Sequence, residues 1–293
     1  MSVPPQHVIR FYGNPEYAVE CVGFKQIAFL HVDKLNDPFD PNLAFETNFN
    51  DDYQALIDYV QHHHLNDFYN FQNLCPRERW EGFIKDMIRL STNHLNSLFI
   101  FSTSEVIKDS HPKDNLHMWS HYGNGHRGIA IQFDNTLLTR TILKEQEILG
   151  GAEIDANDLL CKVIYQDDLP LITCEHIFQF VIQDTPVRDE EAWMRTELAD
   201  IIKKRASVKS KIWKTEKEWR LMKRNDETGL KIQRVDLLDG TITSVYIGLR
   251  YKLNKDHGND PVILETKRNF PKAEIYKAKK MKGKYALDFE RIV

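Results

Sequence analysis

His7-Val8-Ile9-Arg10-Phe11-Tyr12-Gly13-Asn14-Pro15 decides the fold class. Its first six residues are rich in β-branched and aromatic side chains and predict a strand. Gly13-Asn14-Pro15 then predicts a turn and a helix cap, with a helix over Glu16–Val22. A second strand follows at Gln26–Val32, and Leu35–Pro41 reads as a loop because each residue before a proline is pushed toward extended backbone. Asp51–His63 and Arg77–Leu90 carry apolar stripes at helical spacing, Leu56, Ile57, Tyr59 and Val60 on one and Trp80, Phe83, Ile84, Met87 and Ile88 on the other. Strands are predicted at Leu98–Ser102 and Gly128–Phe133, and a helix from about Asp189 to Val208. Further strands are expected at Glu218–Met222, Leu230–Val235, Ser244–Leu249, Glu274–Ala278 and Leu287–Ile292. Strands at both ends with helices between them predict an α+β fold. The expected form is one domain over residues 1–293, a bent mixed or antiparallel sheet built from N- and C-terminal strands, with a helical insertion at about 42–97.

The composition is that of a globular protein. Of 293 residues, 42% are hydrophobic and 28% charged, which excludes a disordered chain and a disulfide scaffold. Apolar runs such as Asn96–Phe101 fall far short of the roughly 20 residues of a membrane span. Met1–Gln6 shows no basic region followed by an apolar core, so the expectation is a cytoplasmic protein with no membrane partner. Cys21, Cys75, Cys161 and Cys174 form no C-x-x-C pair and read as free thiols. His62-His63-His64 cannot converge on one ion from a helix, since adjacent side chains point about 100° apart. No resident metal or cofactor is expected.

The net charge of -4 hides an asymmetry. Residues 1–75 hold three basic and ten acidic residues, whereas Lys203–Arg224 hold ten basic residues against Glu216 and Glu218. Lys277, Lys279, Lys280, Lys282 and Lys284 form a second basic run. Such a layout suits a phosphate-bearing ligand, and nucleic acid is a candidate partner for Lys203–Arg224. The competing reading is a solvated helix face and an edge strand protected by lysines.

Four polar stretches interrupt this pattern: His7–Tyr12, Asn36-Asp37-Pro38-Phe39-Asp40, Met118-Trp119-Ser120-His121-Tyr122-Gly123 leading to Gly128, and Trp213-Lys214-Thr215-Glu216-Lys217-Glu218-Trp219-Arg220. In this order they resemble a large bacterial family of domains of unknown function, from the first strand to the last. The resemblance implies no activity and fits a bacterial stress or phage-defence setting.

Glu216 and Glu218 stand at i and i+2, and in extended chain they share a face. One carboxylate can then hold a ribose hydroxyl while the other meets an acceptor. With Arg10 on the first strand and Ser102-Thr103-Ser104 on a middle strand, the order Arg, Ser-Thr-Ser, Glu-x-Glu is similar to that of arginine-modifying ADP-ribosyltransferases. That similarity implies NAD as substrate and loss of nicotinamide through an oxocarbenium-like state. Glu218, Glu216 and His121 are the catalytic candidates, while Arg10, Ser102, Tyr122 and Arg220 are those for nucleotide binding. The structural alternative pairs Glu216 and Glu218 with Lys214, Lys217 or Arg220, and Arg10 with Asp37 or Asp40.

Two other classes stay open. His121, His126, Glu218 and Arg220 suit a metal-independent nuclease or phosphodiesterase, with glycines letting backbone N–H groups approach a phosphate. The same stretch also reads as a structural loop with Trp119 and Tyr122 in the core. A non-catalytic nucleotide- or protein-binding module is the third class. Asp37 and Asp40 offer too few oxygens for a calcium or magnesium site, and a rigid turn with Asn36 bonding its own backbone and Phe39 buried is the better reading. Convergence of Arg10, His121 and Glu218 on one cleft would favour an enzyme.

Overall fold

The computed structural model describes residues 4–37, 40–41, 44–45, 53–106, 115–148, 160–183, 206–225, 227, 229–254 and 256–292. The strands are β1 (His7–Tyr12), β2 (Gln26–His31), β3 (Ala44–Phe45), β4 (Leu98–Glu105), β5 (Ile129–Asp134), β6 (Leu160–Lys162), β7 (Ile164–Gln166), β8 (Leu171–Ile172), β9 (Val208–Ser210), β10 (Glu218–Arg224), β11 (Ile232–Asp236), β12 (Ile242–Ile247), β13 (Glu274–Lys280) and β14 (Leu287–Arg291). The helices are α1 (Pro15–Phe24), α2 (Tyr53–His63), α3 (Phe68–Leu74), α4 (Arg77–Asn96), α5 (Leu116–His121), α6 (Asn135–Ile148), α7 (Cys174–Gln183) and α8 (Pro261–Asn269).

The fold is α+β around an open, ten-stranded sheet ordered β11-β2-β4-β1-β5-β12-β13-β14, with β10 on β4 and β6 on β10. Its strand pairs are antiparallel except β12–β13. α1 starts as the sequence predicts: Asn14 accepts from the Glu16 N–H and Pro15 supplies the first turn.

β4 is the hinge of this architecture. Along one edge it pairs with β10 from Leu98 to Ser104. Its other edge is shared, with β2 bound at Phe99 and Ile100 and β1 at Ser104 and Glu105. β1 and β2 therefore fork apart, and the Ser102 carbonyl at the fork accepts from Arg10 Nη1 at 2.9 Å. Alternation along β4 and β10 sends Phe99, Phe101, Trp219 and Leu221 into the main apolar core. Ser102, Ser104, Glu218 and Arg220 take the opposite face, because directly paired residues of antiparallel strands share a side.

The helices α2 and α3 close a second, smaller core with Trp80 of α4 and with α7, built on Leu56, Val60, Phe71, Trp80, Ile177 and Phe178. The expected insertion thus recruits a helix from much later in the chain. At its edge His64 pairs with Glu175 at 2.7 Å, and no cluster suited to a metal ion occurs among the described residues. No helix among them is long and apolar enough to cross a membrane.

Some expectations need correction. Of the helix predicted to end at Val208, residues 189–205 lie outside the described residues, and Val208 begins β9. Met118–His121 is helical, not loop, because Asn115 caps α5 by accepting from the Met118 N–H. β13 lies between β12 and β14 and is not an edge strand. Its Lys277 is half-buried and donates to the carbonyls of Gly248, Leu249 and Tyr251, with burial pushing the ammonium down to about 8.

Candidate functional site

The four polar stretches meet on the face of β4 and β10 away from the main core. Arg220, fully buried, anchors them. Its guanidinium makes a two-pronged contact with the Asp40 carboxylate, donates from Nε to Glu218 Oε1 at 2.8 Å, and donates to the Ala206 carbonyl at 2.5 Å. Lys209, on β9, donates to Glu216 Oε2 at 2.8 Å and to Glu218 Oε2 at 3.3 Å, and lies 3.7 Å from Asp40. The same ammonium stands 5.2 Å over the Trp213 ring, whose Nε1 donates to Asp37 at 2.7 Å.

Glu216 and Glu218 do share a site, but not by strand alternation. Glu216 ends a 3-10 turn over Lys211–Glu216, and Lys217 takes a left-handed φ of 46° before β10 begins. That single reversal turns both carboxylates onto Lys209. Of the partners proposed from sequence, Arg220 does pair with Glu218, whereas Lys214 and Lys217 are exposed.

Two buried cations thus face three buried carboxylates, Asp40, Glu216 and Glu218. Among the described residues one negative charge is in surplus, and in a low-dielectric setting it is costly. The cluster resolves this unevenly. Burial would raise the Glu218 carboxyl, but Arg220, Lys209 and the Ser102 hydroxyl outweigh it and hold the group down at about 2. Burial wins at Glu216 and Asp40, and both are raised despite their cationic partners. Adjacent carboxyls pushed in opposite directions divide into a fixed anion, Glu218, and a group that takes up a proton more readily, Glu216.

Tyr122 ties this cluster to α5. Its hydroxyl donates to Glu216 Oε1 at 2.5 Å and accepts from Asn36 Nδ2 at 3.0 Å. Burial, and the Glu216 carboxylate next to it, push the phenol up, so Tyr122 stays a donor. The helix is held by fully buried Trp119, edge-on to Phe11 at 5.1 Å. Gly123 permits this packing, since a β-carbon there would stand 2.7 Å from the Trp119 carbonyl oxygen.

Above the cluster opens a cavity of about 780 Å³, counting its mouth. Glu216, Glu218, Ser102, Tyr122, Arg10 and Lys34 line it, and the Arg10 guanidinium meets the Ser102 carbonyl between Glu218's face of the sheet and the Phe101 ring of the main core. Arg10 lies 4.5 Å over the Phe101 ring and makes no ion pair with a carboxylate among the described residues. The alternative pairing of Arg10 with Asp37 or Asp40 is therefore not formed, because Trp213 and Arg220 hold those carboxylates. Asn36 Nδ2 donates to the Tyr122 hydroxyl, and Pro38 and Phe39, on which the expected turn rests, lie outside the described residues.

The candidates separate cleanly. Arg10, Ser102, Tyr122, Glu216 and Glu218 meet at the cavity, with Arg220 beneath them as a positioning residue. His121 is exposed, 4.3 Å from the His117 ring and 6.5 Å from Trp213, and does not line the cavity. His126 lies parallel to Trp119 at 6.2 Å in the following turn, so His121, His126, Glu218 and Arg220 do not assemble around one space. The basic run is divided as well: Lys209, Arg220 and Lys223 are buried, while Lys211, Lys214, Lys217 and Arg224 are exposed. Sequence reading missed Lys209, which no apolar alternation in Val208-Lys209-Ser210 sets apart from its basic neighbours.

These shifts set an acid profile. The Glu218 contribution to stability is complete above an unfolded value of about 4.3 and is lost as the pH falls from there toward 2. Glu216 and Asp40 act oppositely, and acidification relieves the cost of burying them. Melting temperature should therefore stay level or rise slightly from about pH 7 to about 5, then fall below about 4. A decline complete by pH 5 would contradict this charge arrangement.

Residues 118–221, about a third of the chain, match the model of a family described as a protein of unknown function, DUF2971. The match takes in Tyr122, Lys209, Glu216, Glu218 and Arg220, and leaves out Arg10, Asp40 and Ser102. No curated protein and no solved structure matches the chain.

Proposed function

We propose that the chain acts on the N-glycosidic bond of NAD or a related nucleotide, transferring or hydrolysing the ribosyl group. The observation that carries this reading is one cavity lined both by an arginine with no carboxylate partner among the described residues and by a carboxylate pair of opposed acidity. Arg10 suits the phosphates. Glu218, held ionised, suits the positive charge that develops on the ribose as its bond to the base breaks. Ser102 orients Glu218, and Tyr122 orients Glu216. With NAD the electron pair of the broken bond returns to the pyridinium nitrogen, so nicotinamide leaves neutral and needs no proton. The attacking water or hydroxyl loses its proton, and Glu216, raised toward neutrality, is the better base of the pair.

Incubation with NAD followed by mass spectrometry is expected to release nicotinamide. Intact NAD beside cleaved RNA or DNA would replace this reading with a nuclease, and intact NAD with measurable nucleotide binding would leave a non-catalytic module.

A further inference from the structure

We infer that the cleft is built for a dinucleotide, with its pyrophosphate at Arg10 and its second nucleoside in a separate cavity inside the fork between β1 and β2. This inference rests on the glycosidic reading for which end of the substrate enters the first cavity. The second cavity, of about 720 Å³ counting its mouth, is lined by Tyr12 of β1, by Tyr17, Cys21 and Phe24 of α1, by Ala28 and Leu30 of β2, and by Ile232 and Arg234 of β11. Arg10 and Leu30 line both cavities, so Arg10 stands at their junction, its guanidinium held by the Ser102 carbonyl and lying over Phe101.

The fork explains the junction. β1 leaves β4 after Ile9, β2 joins β4 only at Leu30, and the segments between them diverge. Arg10 occupies the apex through its bond to the Ser102 carbonyl, and among the described residues its remaining guanidinium N–H groups are left for an anion. A phosphate there would touch the one arginine common to both spaces. The second cavity has the features of a nucleoside site. Tyr17 and Phe24, seven residues apart on α1 and so on one side of the helix, are 60% and 69% exposed. Ile232 faces the same space and is 43% exposed. Flat aromatic walls take a base by stacking whatever its sequence of donors. Arg234, 3.7 Å from Glu20, places a second cation there. A mononucleotide held at Glu218 and Arg10 would leave this cavity empty.

The test uses Glu218→Gln, whose turnover is expected to be roughly 10²–10³ slower, titrated calorimetrically with NAD and with nicotinamide mononucleotide. NAD should bind at least about 10-fold tighter than the mononucleotide. Adding Tyr17→Ala and Phe24→Ala should weaken NAD by about 10- to 100-fold and leave the mononucleotide unchanged. Because both side chains are exposed, the melting temperature should not move, which separates lost stacking from lost folding. Equal affinities, no NAD binding, or an equal loss for both ligands would overturn the inference. Nicotinamide release by the unaltered chain is scored separately: split binding without release would keep the dinucleotide cleft and remove the glycosidic chemistry.

Discussion

Arg220→Met is expected to cost about 3–5 kcal/mol of folding stability, a large part of what a domain possesses. The methionine fills much of the same volume, so the loss is electrostatic. Asp40 and Glu218 would lose their guanidinium, and three buried carboxylates would be left with Lys209 alone. Arg220→Lys should rescue only part of this, since an ammonium cannot reproduce the two-pronged contact with Asp40 while also reaching Glu218. The decisive control removes the stranded charges. Arg220→Met with Asp40→Asn and Glu218→Gln leaves Lys209 opposite Glu216, a balanced pair, and should recover a large part of the stability. Denaturant unfolding of these variants measures the effect. A single variant as stable as the parent would mean that the guanidinium holds nothing in place.

What the sequence made legible was mostly local. β1, β2, β4, β5 and the C-terminal strands follow from β-branched and aromatic runs, and α1 from Asn14-Pro15. α8 had an equally clear signal, since Asp260 accepts from the Val262 N–H and Pro261 begins the helix, yet it went unread. The short strands β6 to β9 hold two or three residues each, too few for any period to emerge. The site divides along the same line. Its residues stood out as polar groups inside apolar surroundings, and Glu216 and Glu218 were chosen together for their spacing. The contacts that join them were not legible: Asp40 meets Arg220 across 180 positions of chain, and Tyr122 meets Glu216 across 94. His121 shows the converse failure. A histidine beside glycines suggested proton transfer, but the helical turn that aims Tyr122 at Glu216 leaves His121 at the surface.

Glu218→Gln is expected to lower turnover by roughly 10²–10³, with little change in substrate affinity. The amide keeps the size of the side chain and can still accept from Arg220 and Lys209, but it cannot oppose a developing positive charge on the ribose. An interaction that strengthens only in the transition state falls on kcat and spares the ground state. The charge balance makes the experiment clean. With Glu218 neutral, Lys209 and Arg220 face only Asp40 and Glu216, and the surplus negative charge is gone. The variant should therefore fold, and the raised carboxyls of Glu216 and Asp40 should move back toward ordinary values. Its stability should also lose the acid limb that falls below about pH 4 in the parent. Removing the depressed carboxylate should lower the melting temperature at neutral pH whichever role Glu218 plays, so turnover decides, and a purely structural Glu218 would leave turnover of NAD unchanged. Melting temperature, substrate affinity and turnover measured on this one variant separate the two roles, and a destabilised but fully active protein would remove Glu218 from the chemistry.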